Sequence, residues 1–428
     1  MTPRAPEPGP GRESPGDAGG PDDAGAAGGT GESGADGPVE AAVARRTVTP
    51  PTPTPSMSPT PSAPHDTRKE ALLLWLSSRL GVVVLSLAAG AGAVSQVATV
   101  PFLDRWRHWD AQLLITIAEH GYGGDPAAKP DAGLPAFFPG MPLALRLVRP
   151  LVGDWTLAGL LISLAAGAVA VVALARLAEF EGPPGTGWRA VLALLLWPMS
   201  VFLFVGYSEA LFLAFALPAW LAARQGRWPL AAALAAGASC VRITGLFLAL
   251  ALVVEFFTRR HPVRQAAWLA VPFVPLGLYS AYHYARTGDW LAWKHAQEAG
   301  WGRQLVWPWQ SLATTWNSAM GDGQFAWAFR MEIAGAVVGV GLVLLLLYLR
   351  RWSEFVYVGL QVGALICSAF YLSIPRSALL WWPLFLIIAR VSVTGPPWRR
   401  GIIAVYALVA GPLMVLNTLS FMQGAWVG

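Results

Sequence analysis

WPLAAALAAGASCVRITGLFLALALVVEFFT, residues 228–258, places a single basic residue, Arg242, in the middle of an apolar run. Read as one continuous helix, it would carry Arg259, Arg260 and Arg264 to the side opposite Arg224 and Arg227. Broken at Val241–Gly245, it becomes two short helices with both basic clusters on one side. Basic residues gather in cytoplasmic loops, so the break is the favoured reading. The segment 135–150 poses a similar choice, since a crossing there would invert every later loop. It is read as interfacial or re-entrant.

The rest of the chain follows from these two decisions. Apolar runs recur near 71–95, 155–178, 188–205, 209–223, 228–241, 244–258, 265–284, 332–349, 354–372, 377–390 and 401–419. The expected fold is an all-α polytopic membrane protein of about eleven spans, several of them shorter than the roughly 20 residues a straight crossing needs. Composition agrees: 55% of the 428 residues are hydrophobic and 13% charged, against about 25% charged in a soluble domain. An ordinary cytosolic enzyme and a disordered scaffold are thereby excluded. The net charge of +5 does not point to nucleic acid. The basic residues stand singly between apolar runs instead of forming a phosphate-binding face. Cys240 and Cys367 lie inside apolar runs, without the spacing of a disulfide framework or metal site.

Residues 1–69 are of another kind. They contain no aromatic residue, no Leu and no Ile, but hold 14 of the 35 prolines and 11 of the 45 glycines. Such a segment cannot offset its ordering entropy by apolar burial and reads as a disordered cytoplasmic tail. The Pro, Ser and Thr of Thr47–Pro64 read as a solvated stretch or a docking motif for a partner. The first apolar run is too long and too far from the start for a signal peptide. Domain organisation is then the tail, 1–69, and one transmembrane domain, 70–428.

In this topology the short loops with Arg189, Arg224/Arg227, Arg259/Arg260/Arg264, Arg350/Arg351 and Arg399/Arg400 face the cytoplasm, as does the N-terminus. Asp104, Asp110, Asp125, Asp131, Asp154, Asp289 and Asp322 all fall outside. So do two long loops, about 96–154 and 285–331, of a length that usually carries function. Arg79, in the first span, is read as reaching for the cytoplasmic face.

The first outer loop reads Arg107-His-Trp-Asp-Ala-Gln-Leu-Leu-Ile-Thr-Ile-Ala-Glu-His-Gly-Tyr122, then Pro135-Ala-Phe-Phe-Pro-Gly-Met-Pro142. On a helical wheel, Leu113, Leu114, Ile115, Ile117 and Ala118 form an apolar sector. Gln112, Thr116, Glu119 and His120 form the polar one. This predicts an amphipathic helix over 110–120 along the membrane surface. Asp110 falls inside the apolar sector. It reads as the helix N-cap, as a carboxylate facing a substrate, or as both.

Trp109-Asp110, Ile117-Ala118, Gly121-Tyr122 and Phe137-Phe138-Pro139 together resemble the PIG-V family. Tyr207-Ser208-Glu209-Ala-Leu-Phe212, Gly226-Arg227-Trp228 and Ala238–Gly245 match it as well. The resemblance covers about residues 71–260. It implies a GT-C mannosyltransferase, here a bacterial member, with a polyprenyl-phosphate sugar as donor and a glycolipid or glycan hydroxyl as acceptor. The family's eukaryotic members are GPI mannosyltransferases. No metal cofactor is implied, and the chain has no Asp-x-Asp pair and no Gly-x-x-x-x-Gly-Lys loop for a nucleotide sugar.

Such a transfer needs a base for the acceptor proton and stabilisation of the departing phosphate. The expected mechanism is inverting, with a carboxylate drawing the acceptor proton as the base does in inverting glycosidases. Asp110 is the first candidate base, followed by Asp104 and Glu209. Glu209 reads equally as a carboxylate favoured by a helix N-terminus. Arg242 and Arg376 are candidates for the phosphate, or else interface side chains reaching for water. Trp109, His108, His120 and Tyr122 complete the expected substrate-binding set. Metal ligation by His108 and His120 is not expected, because His120 and Asp110 lie on different helix faces. The second outer loop, with Trp290, Trp293, Lys294, His295, Glu298, Trp301, Arg303, Trp307 and Trp309, reads as a sugar-stacking platform or an interfacial helix. Two alternatives stay open: a GT-C enzyme using another polyprenyl-phosphate sugar, and a secondary transporter or lipid flippase.

Overall fold

Asp66 accepts the backbone N–H of Arg68 at 3.2 Å and starts the first helix, α1, Thr67–Ala88. The computed structural model describes residues 66–93, 95–259 and 261–427. Residues 1–65 of the expected tail, and Arg260 of the expected basic loops, lie outside the described residues. After α1 come α2 (Asp110–His120), α3 (Gly140–Val152), α4 (Trp155–Glu181), α5 (Thr186–Leu195) and α6 (Glu209–Arg224). Then follow α7 (Trp228–Val241), α8 (Thr244–Thr258), α9 (Val274–Thr287), α10 (Ala292–Trp301) and α11 (Pro308–Met320). The last four long helices are α12 (Ala326–Tyr348), α13 (Trp352–Ile366), α14 (Trp382–Val393) and α15 (Ile402–Met422). Among the described residues the β-type contact is a lone bridge, Leu305 to Ser368. The fold is all-α, as the apolar runs predict.

Among the described residues, four helical stretches are long and apolar enough to cross a membrane: Thr67–Gly92, Trp155–Glu181, Ala326–Tyr348 and Pro397–Met422. A fifth is a bent pair, Ile374–Leu380 with Trp382–Val393, at 71°. The expected count of about eleven spans also counted α5, α7, α8 and α13, which are shorter apolar helices, together with α6 and the run 265–284, where a 3₁₀ stretch over Val263–Phe273 precedes α9. Helix α5 ends ahead of Trp197-Pro198, and the chain reaches Glu209 through 3₁₀ turns around Ser200–Leu203. Proline cannot continue the helical ladder, which fixes that stop.

Helix α4 is apolar all round and lies in the centre, touching α1, α3, α5 and α6. Trp75, Trp220, Trp228, Trp381 and Trp382 fill the core beside it. On the outside of α1, Leu73, Leu76, Leu80, Val84 and Leu87 are each more than half exposed. That stripe is too apolar for a water-facing surface.

One end of the bundle is tied by charge. Arg351 bonds Glu181 at 2.6 Å and also pairs with Glu354, while Arg224 lies 3.3 Å from Glu181. Glu255 joins this cluster through Arg224, Arg259 and the hydroxyl of Ser353. Arg79 corrects its sequence reading. It does not reach for an end of the bundle but is buried, stacked 4.4 Å from the Trp75 ring centroid and bonded to the carbonyl of Ser200. The guanidinium thus gives this buried 3₁₀ carbonyl a donor at 3.3 Å.

Candidate active site

At the other end, a cavity of about 560 Å³ opens between α2, the α7–α8 break, α10 and the turn before α14. Leu114, Val241, Leu246, Phe247 and Leu365 form its apolar side. Asp110, Arg242, Arg303 and Arg376 lie on its polar side, and Trp109, Trp293 and Trp301 also line it.

Asp110 is the first residue of α2, not its cap. Trp109 occupies the cap position with φ of 53°, and no side chain caps the helix. A tryptophan in the left-handed region is uncommon and persists only where its surroundings hold it. Here the Tyr207 hydroxyl donates to the carbonyl of His108 at 3.2 Å, pinning the strand just before it. Leu114, Ile115 and Ala118 bury the apolar face of α2 against Met141, Leu145, Ala158 and Ile162. The predicted amphipathic pattern is thus realised as packing on α3 and α4, with Gln112, Glu119 and His120 exposed. The result aims Asp110 at the cavity.

Its carboxylate is held from far along the chain. Arg376 Nη1 donates to Asp110 Oδ2 at 2.8 Å, and no hydrogen bond from a described residue reaches Oδ1. Arg376 Nε lies 3.6 Å from Glu209 Oε1. The same Glu209 oxygen accepts Arg242 Nη1 at 2.8 Å, and Arg242 also bonds Ser208 Oγ at 2.6 Å. The guanidinium of Arg376 sits 5.4 Å from the Phe202 ring and 5.6 Å from Tyr207, on apolar faces that suit a cation. Burial and the Asp110 charge push the Tyr207 phenol upward, so it stays a neutral donor.

The break that delivers Arg242 has a local cause. Arg242 is extended, with φ −150° and ψ 152°, between α7 and α8. A Cβ at Gly245 would lie 2.3 Å from the backbone of Ser239, so only glycine lets α8 start this close to α7. The broken reading of 228–258 therefore holds, with Arg242 at the break.

Of the nine residues expected at the site, Trp109, Asp110, Arg242 and Arg376 line the cavity. Glu209, buried to 1% exposure, stands behind the two arginines. The structure does not bring the others in. Asp104 is exposed in the short turn Asp104–Trp106, and His120 is exposed beside Glu119. His108 packs edge-on against Phe421, and its burial lowers its pKa. Tyr122 donates to the carbonyl of Phe137 at 2.9 Å, bracing the Phe137-Phe138 wall from behind.

Two residues stand out that the sequence reading passed over or left in a crowd. Arg303 lines the cavity and makes no ion pair with a described residue. Its Nη2 donates to the carbonyl of Leu372 at 3.2 Å, and its Nε has no partner. Burial, with the like charge of Arg376, pushes it down to about 10, which leaves it charged near neutrality. Glu332, buried in α12, was not singled out. A carboxylate near the end of an apolar span was the available signal. Helix α10 brings Trp293, Lys294, Glu298 and Trp301 to the cavity, with Lys294 bonded to Glu298 at 2.6 Å. Among the described residues no group of three His, Cys, Asp or Glu side chains could hold a metal. The arrangement offers one carboxylate with a free oxygen and one unneutralised guanidinium, facing an apolar wall.

Residues 76–259 match the family described as Mannosyltransferase (PIG-V). The GPI alpha-1,6-mannosyltransferase 2 of Homo sapiens is 32% identical over 249 residues, covering 50% of this chain and 49% of that protein. Its Rattus norvegicus counterpart is 37% identical over 169 residues, 37% of this chain and 33% of that one. The chain thus spans about half the length of the human relative and about a third of the rat one. A solved structure, ArnT from Cupriavidus metallidurans bound to undecaprenyl phosphate, aligns with TM-score 0.40 and 14% identity over 81% of this chain and 76% of that one.

Proposed function

From a PIG-V mannosyltransferase segment at residues 76–259, we propose that this protein transfers mannose from a polyprenyl-phosphate-mannose donor to a hydroxyl of a lipid-linked glycan or glycoconjugate. The observation that carries the reading is the cavity in which Asp110 keeps one carboxylate oxygen free while Arg376 holds the other at 2.8 Å. In the proposed reaction Asp110 Oδ1 accepts the acceptor proton as its oxygen attacks the anomeric carbon. The bond to the donor phosphate breaks, and the polyprenyl phosphate leaves. One base and no enzyme nucleophile make this a single displacement with inversion. The other cavity-lining carboxylate, Glu298, is engaged by Lys294.

Charge pairing shifts the phosphate role within the candidates. Arg376 and Arg242 are matched by Asp110 and Glu209. Arg303 is not matched, and a guanidinium without a carboxylate is the natural seat for the leaving phosphate. The apolar wall of Leu246, Phe247 and Leu365 suits a prenyl chain, and Trp109, Trp293 and Trp301 suit sugar faces. A lipid-anchored donor of this kind calls for no metal. Placing the cavity on the extracytoplasmic face and the N-terminus in the cytoplasm follows from the basic short loops at the bundle's other end.

The test is a membrane assay with radiolabelled polyprenyl-phosphate mannose and chromatography of the products. A labelled glycolipid or glycoconjugate that depends on this protein is the expected result. No transfer, in membranes where folded protein is present, refutes the reading. Competition by unlabelled polyprenyl-phosphate glucose or arabinose would move the donor to another sugar.

A further inference from the structure

Glu332 sits in α12, 1% exposed, and spends both carboxylate oxygens on one turn. Oε1 accepts the N–H of Ser373 and Oε2 the N–H of Ile374, each at 2.7 Å. Ser373 has φ of 62°, in the left-handed region, and is not glycine. Its conformation needs support from outside. Two successive N–H groups in such a turn converge on one point and favour an anion there. A carboxylate, with two acceptor oxygens, fills that point. A carboxamide offers one acceptor only.

The turn carries the cations of the cavity. Arg376 is three residues beyond Ser373, and Leu372, just before it, supplies the carbonyl that receives Arg303 at 3.2 Å. The other supports are neutral: Trp197 donates to the carbonyl of Pro375 at 2.7 Å, and Thr315 Oγ1 accepts the N–H of Tyr371 at 2.8 Å. Helix α12 comes so close at Gly335 that a Cβ there would lie 3.0 Å from Pro375.

We propose that Glu332 is a positioning residue: its clamp on Ser373 and Ile374 sets Arg376 against Asp110 and Arg303 toward the cavity. The proposal rests on the transfer reaction above for its catalytic consequence, but not for its geometry. Glu332 touches no substrate. It acts through the turn, and the quantity it controls is where the Arg376 guanidinium stands.

The experiment uses the full chain, purified in detergent, with Glu332→Gln and two readouts. The first is a cryo-EM map. Arg376 is expected to have left Asp110 while the surrounding helices keep their places. The second is steady-state transfer from polyprenyl-phosphate mannose. A misplacement of about 1 Å at a reacting site costs about 10²-fold in turnover, with donor KM changed far less than kcat. Arg376 still at hydrogen-bond distance from Asp110 in the Glu332→Gln map overturns the proposal, whatever the kinetics. So does a displaced Arg376 with unchanged kcat. If Glu332→Gln is not recovered folded, Glu332→Asp carries the same test, because a carboxylate one methylene shorter is drawn back from the two N–H groups that Glu332 now holds at 2.7 Å. A wild-type protein that transfers no mannose removes the proposed function, and the map then decides the clamp alone.

Discussion

Asp110→Asn separates the two things this carboxylate does. Asparagine keeps the shape, and its amide oxygen can still accept Arg376 Nη1, now 2.8 Å from Oδ2. It cannot accept a proton near neutral pH. Loss of general-base catalysis is worth about 10²–10⁴-fold in rate, and the loss should fall on kcat, with donor KM nearly unchanged. The structural cost is smaller. A charge-assisted hydrogen bond between side chains 12% and 18% exposed becomes a neutral one, and Arg376 keeps its 3.6 Å approach to Glu209. Such an exchange costs about 1–3 kcal/mol, which leaves the bundle folded. The assay is single-turnover and steady-state transfer of radiolabelled mannose by purified wild-type and variant protein at matched amounts. Membrane level and elution volume serve as the folding check. Turnover within about threefold of wild type would refute the argument, because no general base contributes that little. Asp110 would then be an ion-pair partner only.

Three further outcomes follow from the same geometry. Arg303→Gln should raise the donor KM by about 10-fold or more, since a charged hydrogen bond to phosphate is worth about 1.5–3 kcal/mol; an unchanged KM in initial-rate measurements removes Arg303 from the phosphate seat. Arg376→Lys should lower kcat by about 10-fold or more, because an ammonium cannot span Asp110 and Glu209 as the planar fork does, whereas Arg242→Lys, facing Glu209 and Ser208 only, should cost less; equal losses would show that the two arginines act alike. In a background without Cys240 and Cys367, single cysteines at Gly123 and Arg264 should react with an impermeant reagent from opposite sides of the membrane. Labelling of both from outside would overturn the orientation.

Much of the fold was legible because hydropathy is local. The helix starts at Trp155, Glu209, Trp228 and Thr244 fall where apolar runs begin, and the 241–245 break was readable from the loop charges alone. Part of the site was legible for the same reason: Trp109-Asp110, Glu209 and Arg242 lie in short distinctive strings. Other features were not. Asp110 read as a helix cap, a substrate-facing carboxylate, or both, because the wheel cannot show that Trp109 takes the cap place at φ 53°. Arg79 read as a side chain reaching for an interface, because its partner, the Ser200 carbonyl, lies 121 residues away. Asp104 and His120 shared a loop with Asp110, but adjacency in a loop does not fix which way a side chain turns.

What the sequence by itself determined is the class of molecule and the order of its apolar segments. Apolar transfer and the Pro, Gly and Arg interruptions act over a few residues and need no knowledge of the fold. The tertiary structure alone decided which charges are spent and which remain free. The Asp110–Arg376 pair joins residues 266 apart in the chain, and Glu332 reaches a turn 41 and 42 residues on. Whether an arginine is held in an ion pair depends on a carboxylate within about 4 Å. That proximity is made by packing α2, the α7–α8 break, α10 and the turn before α14 around one cavity, and no local pattern encodes it.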